Sequence, residues 1–294
     1  MAGEGTNITE YDPRLAEAIL GEAGHLLRHI GIAARHTILI GGLVPGLLVL
    51  DPGSGRAPHV GTTDLDFCLS LALVEGDTAE YQRIETSLRA AGYQPTDTTF
   101  CWQRQAGLRL KAEFFCPASS TRPAGSLFRP KAVGARVVKH KMGPKLSAMA
   151  LDAGAAISDD AQLVEREVDL PDGAGRVSYQ FRVTGLTGFL VAKTGALTER
   201  DKPKDAYDIV WLLEAWPGGP QQAAQAARDS SVFERADTKR ALAHLAREFA
   251  DPSRLGPRSY ARFMAAPESS PDDITRLRRQ AVGAVRIFAA ALTE

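Results

Sequence analysis

Apolar and polar positions alternate from Asp64 to Leu71, with Leu65, Phe67, Leu69 and Leu71 on one face and Asp66, Cys68 and Ser70 on the other. That is the pattern of a half-buried strand. Upstream, the run Thr37-Ile38-Leu39-Ile40 stops at Gly41-Gly42 and passes into an apolar segment, Leu43 to Leu50, long enough for about two helical turns. Pro13 to His29 carries Leu15, Ile19, Leu26 and Leu27 at helical spacing. Asp77 to Ala91 reads as a helix closed by Gly92, and Thr96 to Gln103 with Leu108 to Cys116 as strands joined through Arg104 to Gly107. Leu146 to Ala156 predicts a short helix or an irregular crossing. Gln162 to Leu170 and Arg176 to Val183 predict a hairpin turned at Pro171-Asp172-Gly173.

From Thr184 onward the period is helical. Leu186, Leu190, Lys193 and Leu197 share one stripe, and Pro203 starts a second helix with Asp205, Asp208, Ile209 and Leu212 inward. Gln221 to Arg228, Ala236 to Phe249, Ser259 to Ala265 and Asp272 to Ala291 follow, separated by Pro and Gly breaks. The elements predict an α/β (α+β) chain, with a mixed-sheet core over 1–183 and a helical region over 184–294.

Composition narrows the classes. A chain of 294 residues, 44% hydrophobic, can bury a substantial core, and 35 basic against 35 acidic residues leave no net field to draw it onto nucleic acid or membrane. Any nucleic-acid site is therefore local. Between Glu113 and Asp152 there is no acid, while Arg122, Arg129, Lys131, Arg136, Lys139, Lys141 and Lys145 supply seven bases. This tract is either a footprint for phosphate backbone, through Lys131, Arg136, Lys139, Lys141 and Lys145, or a solvated loop. Cys68, Cys101 and Cys116 make no zinc spacing and read as reduced core thiols. The first residues lack a basic segment followed by an apolar one, and the run Thr37 to Leu50 is too short and too broken to span a bilayer, so a cytoplasmic protein without a membrane partner is expected.

The candidate chemistry lies in Gly41-Gly42 and in Asp64-Leu65-Asp66. Paired glycines let backbone approach a ligand, and positions i and i+2 of a strand share a face, roughly 6–7 Å apart at the backbone. Two such carboxylates repel unless a cation neutralises them, and hard oxygen ligands suit Mg²⁺ bound with substrate phosphates; the alternative is a strand edge with two ordinary acids. Lys193 stands on an apolar stripe, where an ammonium needs an anion or snorkels at the rim of the core. Asp205 is a first-turn acid favoured by the helix dipole, whereas Asp208 requires a partner. An ion pair with Lys193 and a general-base role both fit Asp208.

Gly41-Gly42 followed by Thr62-Thr63-Asp64-Leu65-Asp66 resembles the first motif of the polymerase-β-type nucleotidyltransferase superfamily. The block from Lys193 through Arg200, Lys204 and Asp205 to Asp208 is similar to the later motif of its AbiEii branch, which includes the MenT group of toxin–antitoxin nucleotidyltransferases. The two blocks cover about a fifth of the chain. The resemblance implies a catalytic set of Asp64, Asp66, Lys193 and Asp208, with Gly41, Gly42, Thr62, Thr63, Lys193 and Asp205 around an NTP. It also implies Mg²⁺, or Mn²⁺ in its place, on Asp64 and Asp66. Glu113 would be either a third ligand, where the family more commonly has Asp, or a surface acid. The expected reaction moves an NMP to an RNA acceptor, the tRNA 3′ end, blocking translation under the restraint of a cognate antitoxin. In this expectation the helical region completes the active-site cleft. A protein or small-molecule acceptor, or a non-catalytic nucleotide- or RNA-binding module of the same fold, are the alternatives.

Overall fold

The computed structural model describes residues 5–70, 78–105, 108–129 and 146–293, and shows an α+β protein with a mixed sheet and a C-terminal set of helices. The chain divides into two compact units. A sheet unit takes Glu17–Gly41 and Thr63–Val183, and a helical unit takes Met1–Ala16, Gly42–Thr62 and Thr184–Glu294. The division at Val183 falls where the sequence pattern changes period. The helical unit also recruits two earlier segments, because the residues that cover its helices come from there.

In the sheet unit the strands are β1 (Thr37–Ile40), β2 (Asp64–Leu69), β3 (Tyr93–Pro95), β4 (Cys101–Arg104), β5 (Lys111–Pro117), β6 (Leu127–Phe128), β7 (Ala148–Leu151), β8 (Ala161–Asp169) and β9 (Arg176–Thr184). Among the described residues they form one sheet ordered β3-β4-β5-β2-β1-β9-β8, with β7 paired to β5 and β6. Strand β2 runs antiparallel to β1 and parallel to β5, pairing Asp64 with Lys111 and Asp66 with Glu113. Because neighbours in register share a face, Trp102, Ala112, Phe114, Leu65, Phe67, Leu39 and Val183 line one side. Cys101, Glu113, Asp64, Asp66 and Ile40 line the other.

The apolar side is covered by α1 (Pro13–Ile30) and α3 (Thr78–Ala90). Helix α1 lies so close to the hairpin that a Cβ on Gly21 would collide with the carbonyl oxygen of Asp169, and one on Gly24 would stand 3.1 Å from Val168 Cγ2. Glu22 of α1 pairs with Arg104 of β4, both buried, and Arg89 of α3 lies 5.2 Å over the Trp102 ring. The opposite side is covered by α4 (Gly154–Asp159), which packs on β1, β2 and β5.

The hairpin falls where its pattern predicts, with a 3₁₀ turn at Pro171–Gly173. Three expectations need correction. The strand expected over Thr96 to Gln103 is confined to β4, with β3 ending at Pro95 and residues 96–100 outside both. The crossing at Leu146 to Ala156 contains strand β7 before helix α4, since Ala148 and Ala150 are buried while Met149 and Leu151 are half-buried. The apolar run from Leu43 yields only α2 (Val44–Leu48), shortened by a 3₁₀ turn over Gly41–Leu43. All three cysteines are buried and unbridged.

The helical unit contains α2, α5 (Leu186–Glu199), α6 (Lys204–Ala215), α7 (Gly219–Asp229), α8 (Ala236–Glu248), α9 (Leu255–Met264) and α10 (Pro271–Ala291). Helix α6 packs against α2, α5, α7, α9 and α10, so all but one of its residues are buried. Helix α10 opens with a capping box in which Ser270 and Asp273 satisfy each other's backbone amides. No described helix is long and apolar enough to cross a membrane.

Gly→Ala in an open helix stabilises by about 1 kcal/mol. In α1 the sign reverses: Gly21→Ala costs about 1–3 kcal/mol through overpacking against Asp169. Gly283→Ala in α10, where an added methyl meets nothing within 4 Å, gains about 0.5–1 kcal/mol. Urea midpoints of the two variants moving in opposite directions are the expected result.

Candidate active site

The predicted residues are gathered into two groups, one in each unit. In the sheet unit, Asp64 and Asp66 are half-buried on one side of β2 while Leu65 and Phe67 are fully buried on the other. Gly41 follows β1 with φ +75°, and a Cβ there would collide with Oδ2 of Asp66. Only glycine supplies both the left-handed backbone and the room for that carboxylate. Glu113 stands beside Asp66 in register, and Cys101 beside Glu113. Burial first, then the negative charge of Glu113 and of Asp64, pushes the Cys101 thiol up to about 11.

Two carboxylates from one strand and a third from its neighbour are the hard oxygen donors that Mg²⁺ takes. Among the described residues, however, no three His, Cys, Asp or Glu side chains gather as a metal centre by themselves.

In the helical unit the group is a buried ion network. Lys193 of α5 donates to Asp205 Oδ1 at 2.7 Å and lies 2.6 Å from Asp208 Oδ2. Lys204 donates to Asp208 Oδ1 at 2.6 Å, and Arg200 holds Asp205 through Nε and Nη2 at 2.9 and 2.8 Å. Asp208 is 0% exposed and Lys193 7%. Burial alone would raise the Asp208 carboxyl, but Lys193, Lys204 and His59 outweigh it and hold it far below the usual carboxylate range. Burial likewise opposes the charge on Lys193, and Asp205 and Asp208 reverse the effect, raising it. Of the two roles open to Asp208, the geometry shows the ion pair with Lys193. Gly42 passes beside this network: a Cβ on it would stand 2.8 Å from Lys204 Nζ and 2.9 Å from Cβ of the buried Thr62. Thr63, half-buried, is the first residue of the second sheet-unit segment.

The segment before Thr62 is fastened along one stripe of α6. Arg56 pairs with Glu214 at 2.7 Å, Trp211 Nε1 donates to the Ala57 carbonyl at 3.1 Å, and the Val60 amide donates to Tyr207 Oη at 3.3 Å. Between them His59 is buried against Tyr207 and Trp211, both with ring centroids at 5.0 Å. The Gly61 amide donates to His59 Nδ1 at 3.0 Å, which assigns the imidazole proton to Nε2, donating to Asp208 Oδ1 at 3.0 Å. Burial, against the opposing pull of Asp208, lowers His59 to about 4, so the ring is neutral at pH 7.

Sequence reasoning missed His59, because a single histidine in a Pro- and Gly-rich loop has no period. It also missed the stripe Tyr207, Asp208, Trp211 and Glu214, whose i, i+1, i+4, i+7 spacing was a usable signal. Lys131, Arg136, Lys139, Lys141 and Lys145 lie outside the described residues. Of the other bases in that tract, Arg122 donates to the Pro117 carbonyl at 2.8 Å and Arg129 to Thr99 at 3.2 Å.

An imidazole with a folded pKa below its unfolded 6.5 gains a proton on unfolding. The stability it supports is complete above pH 6.5 and is lost as the pH falls toward about 4, by about 3 kcal/mol in total. Chemical denaturation across that window is expected to show this one-proton slope, and His59→Gln to flatten it. Asp208→Asn removes the anion shared by two buried ammonium groups and is expected to cost about 3–5 kcal/mol, read as a lower midpoint at neutral pH. Compared with known proteins, the chain matches no protein-family model and no curated sequence.

Proposed function

We propose that the chain is a metal-dependent nucleotidyltransferase that moves an NMP from an NTP to an acceptor hydroxyl, with release of pyrophosphate. The observation that carries this reading is the Asp66 carboxylate seated against the Gly41 backbone, beside Asp64 and in register with Glu113. Asp64 and Asp66 would hold Mg²⁺, with Glu113 at the margin of the shell. When bound, Mg²⁺ supplies neutralisation of the charge that develops on the phosphates. The space beside Gly41 is taken by the Asp66 carboxylate, and the half-buried Thr63 next to Asp64 offers a hydroxyl and an amide from which a phosphate would accept.

The ion network revises the roles of the helical residues. An efficient general base has a pKa near the working pH, and Asp208 lies far below it. Asp208 therefore serves as a fixed anion that orients Lys193, Lys204 and His59. Lys193, bound to two carboxylates, acts by positioning rather than as a phosphate clamp. The resemblance to the AbiEii branch extends the reading to an RNA acceptor, the tRNA 3′ end, and to a toxin whose activity a cognate antitoxin restrains. The acid-free tract after Glu113 is compatible with such an acceptor.

Incubation with labelled NTPs, Mg²⁺ and total tRNA or total protein is expected to label tRNA and to fail with a chelator present. Asp64→Asn and Asp66→Asn are each expected to lower incorporation by about 10²–10³-fold with the thermal midpoint unchanged. Label confined to protein would overturn the acceptor. Incorporation unaffected by both substitutions would overturn the site.

A further inference from the structure

Helix α1 carries an imidazole pair that neither the sheet core nor the candidate active site uses. Near its C-terminus the helix reads His25-Leu26-Leu27-Arg28-His29, and residues four apart on a helix stand on one face. Leu26 and Leu27 are buried, whereas His25 is half-buried and His29 exposed, so the pair lies on the outer side of the helix. The two rings meet edge to face with centroids 4.6 Å apart.

Two features of that placement favour a cation. Imidazoles at i and i+4 have the spacing by which one helix face holds Zn²⁺. With metal–nitrogen bonds of about 2.0–2.1 Å, two imidazoles on one ion have ring centres roughly 4.5–5.2 Å apart. The observed 4.6 Å lies in that range, so chelation needs no movement of the backbone. His29 also stands in the last turn of α1, where the partial negative charge of the helix C-terminus attracts positive charge. The backbone there is held, since the His29 carbonyl accepts from Ser87 Oγ of α3 at 2.8 Å.

The neighbouring charges are committed elsewhere. Glu22, one turn earlier, is buried in a pair with Arg104. On α3, Glu80 and Glu85 lie 2.5 and 3.0 Å from Arg83 and Arg89. Arg28, between the histidines in sequence, acts on the Tyr179 phenol of β9. Among the described residues no third His, Cys, Asp or Glu gathers with the pair, which leaves the other positions of an ion to water.

We propose that His25 and His29 form a two-imidazole site for one divalent ion of the nickel, copper and zinc group, separate from the carboxylates of β2. Nitrogen donors suit such ions, whereas Mg²⁺ takes oxygen, so the two sites sort metals by ligand chemistry. A bound ion ties two successive turns of α1 and strengthens the helix that covers the apolar side of the sheet. The inference stands on α1 alone and holds whether or not the chain transfers nucleotides.

The test is isothermal titration calorimetry of the untagged full chain with Zn²⁺, Ni²⁺ and Cu²⁺ in turn, in excess Mg²⁺ so that oxygen sites are filled. One ion per chain is expected, bound most tightly as Cu²⁺, with a rise in thermal midpoint. Affinity is expected to fall on acidification, because a ligating imidazole must be neutral. His25→Gln and His29→Gln are each expected to weaken binding about tenfold or more, since a single imidazole loses the chelate. A ring contact alone would also set the centroids at this distance, and His29→Phe separates the two readings. It keeps a ring while removing the ligand, and is expected to lose the ion. His244→Gln, on α8, is expected to leave affinity within twofold. Absence of one-to-one binding overturns the proposal, as does affinity that survives in both glutamine variants or in His29→Phe. Binding lost in Asp64→Asn instead puts the ion at β2 and overturns it as well.

Discussion

Asp208 sets the terms on which the helical unit is built. A carboxylate with no exposure, on a helix covered all round, is stable only if its charge is answered at close range, and here two ammonium groups and a neutral imidazole answer it. Each of those partners is itself buried and would be costly alone. Lys193 needs both Asp205 and Asp208, and Lys204 lies over the Tyr11 ring at 5.7 Å as well as on Asp208. Removing any member strands another, so the network defines a single arrangement of α5, α6 and the segment Arg56 to Thr62. An apolar core of the same volume often stabilises helices at least as well, so the network is not to be counted as a gain in stability.

The sheet unit solves a different problem. Strands β1, β2 and β5 are covered on the apolar side by α1 and α3, and α4 reaches the other side. The acids therefore occur only at the start of β2 and the same level of β5, where Asp64, Asp66 and Glu113 are half-buried while Cys68 and Cys116 farther along are fully buried. Burial raises those thiols, Cys68 to about 12 and Cys116 to about 11, so they are inert packing groups rather than nucleophiles. The contrast between carboxylates and silent thiols on one strand gives the unit its direction.

Most of the elements were legible because their periods were long and their punctuation strong. The hairpin β8–β9, helix α10 with Pro271 near its start, and the D-x-D strand follow directly from alternation or from caps. Strand β7 was not, since Ala148 to Leu151 has neither β-branched residues nor polar alternation and is held by pairing to β5. The recruitment of Gly42–Thr62 to the helical unit was invisible for a related reason. It depends on Trp211, Tyr207, Asp208 and Glu214 reaching across about 150 residues of sequence, which no local pattern encodes. Within the candidate site, Lys193 and Asp208 were legible as charges out of place. Their mutual satisfaction was an open alternative that geometry alone decides.

That satisfaction changes what a lysine on an apolar stripe signifies. A buried ammonium demands an anion, and a substrate phosphate is one source; a carboxylate on the next helix is another. The two differ in what happens without substrate. A lysine reserved for phosphate would be left buried and unpaired, with a lowered pKa and a tendency to release its proton. Lys193 instead has a raised pKa from Asp205 and Asp208, so its charge is guaranteed before any ligand arrives. The helical unit is preorganised: its cations and anions hold their orientation at no further reorganisation cost, which is the condition under which fixed charges act most strongly on a reacting group. Within the helical unit, then, the charges of Lys193, Lys204 and Asp208 are answered by one another, and that answer is what fixes α5 and α6 against the segment Arg56 to Thr62.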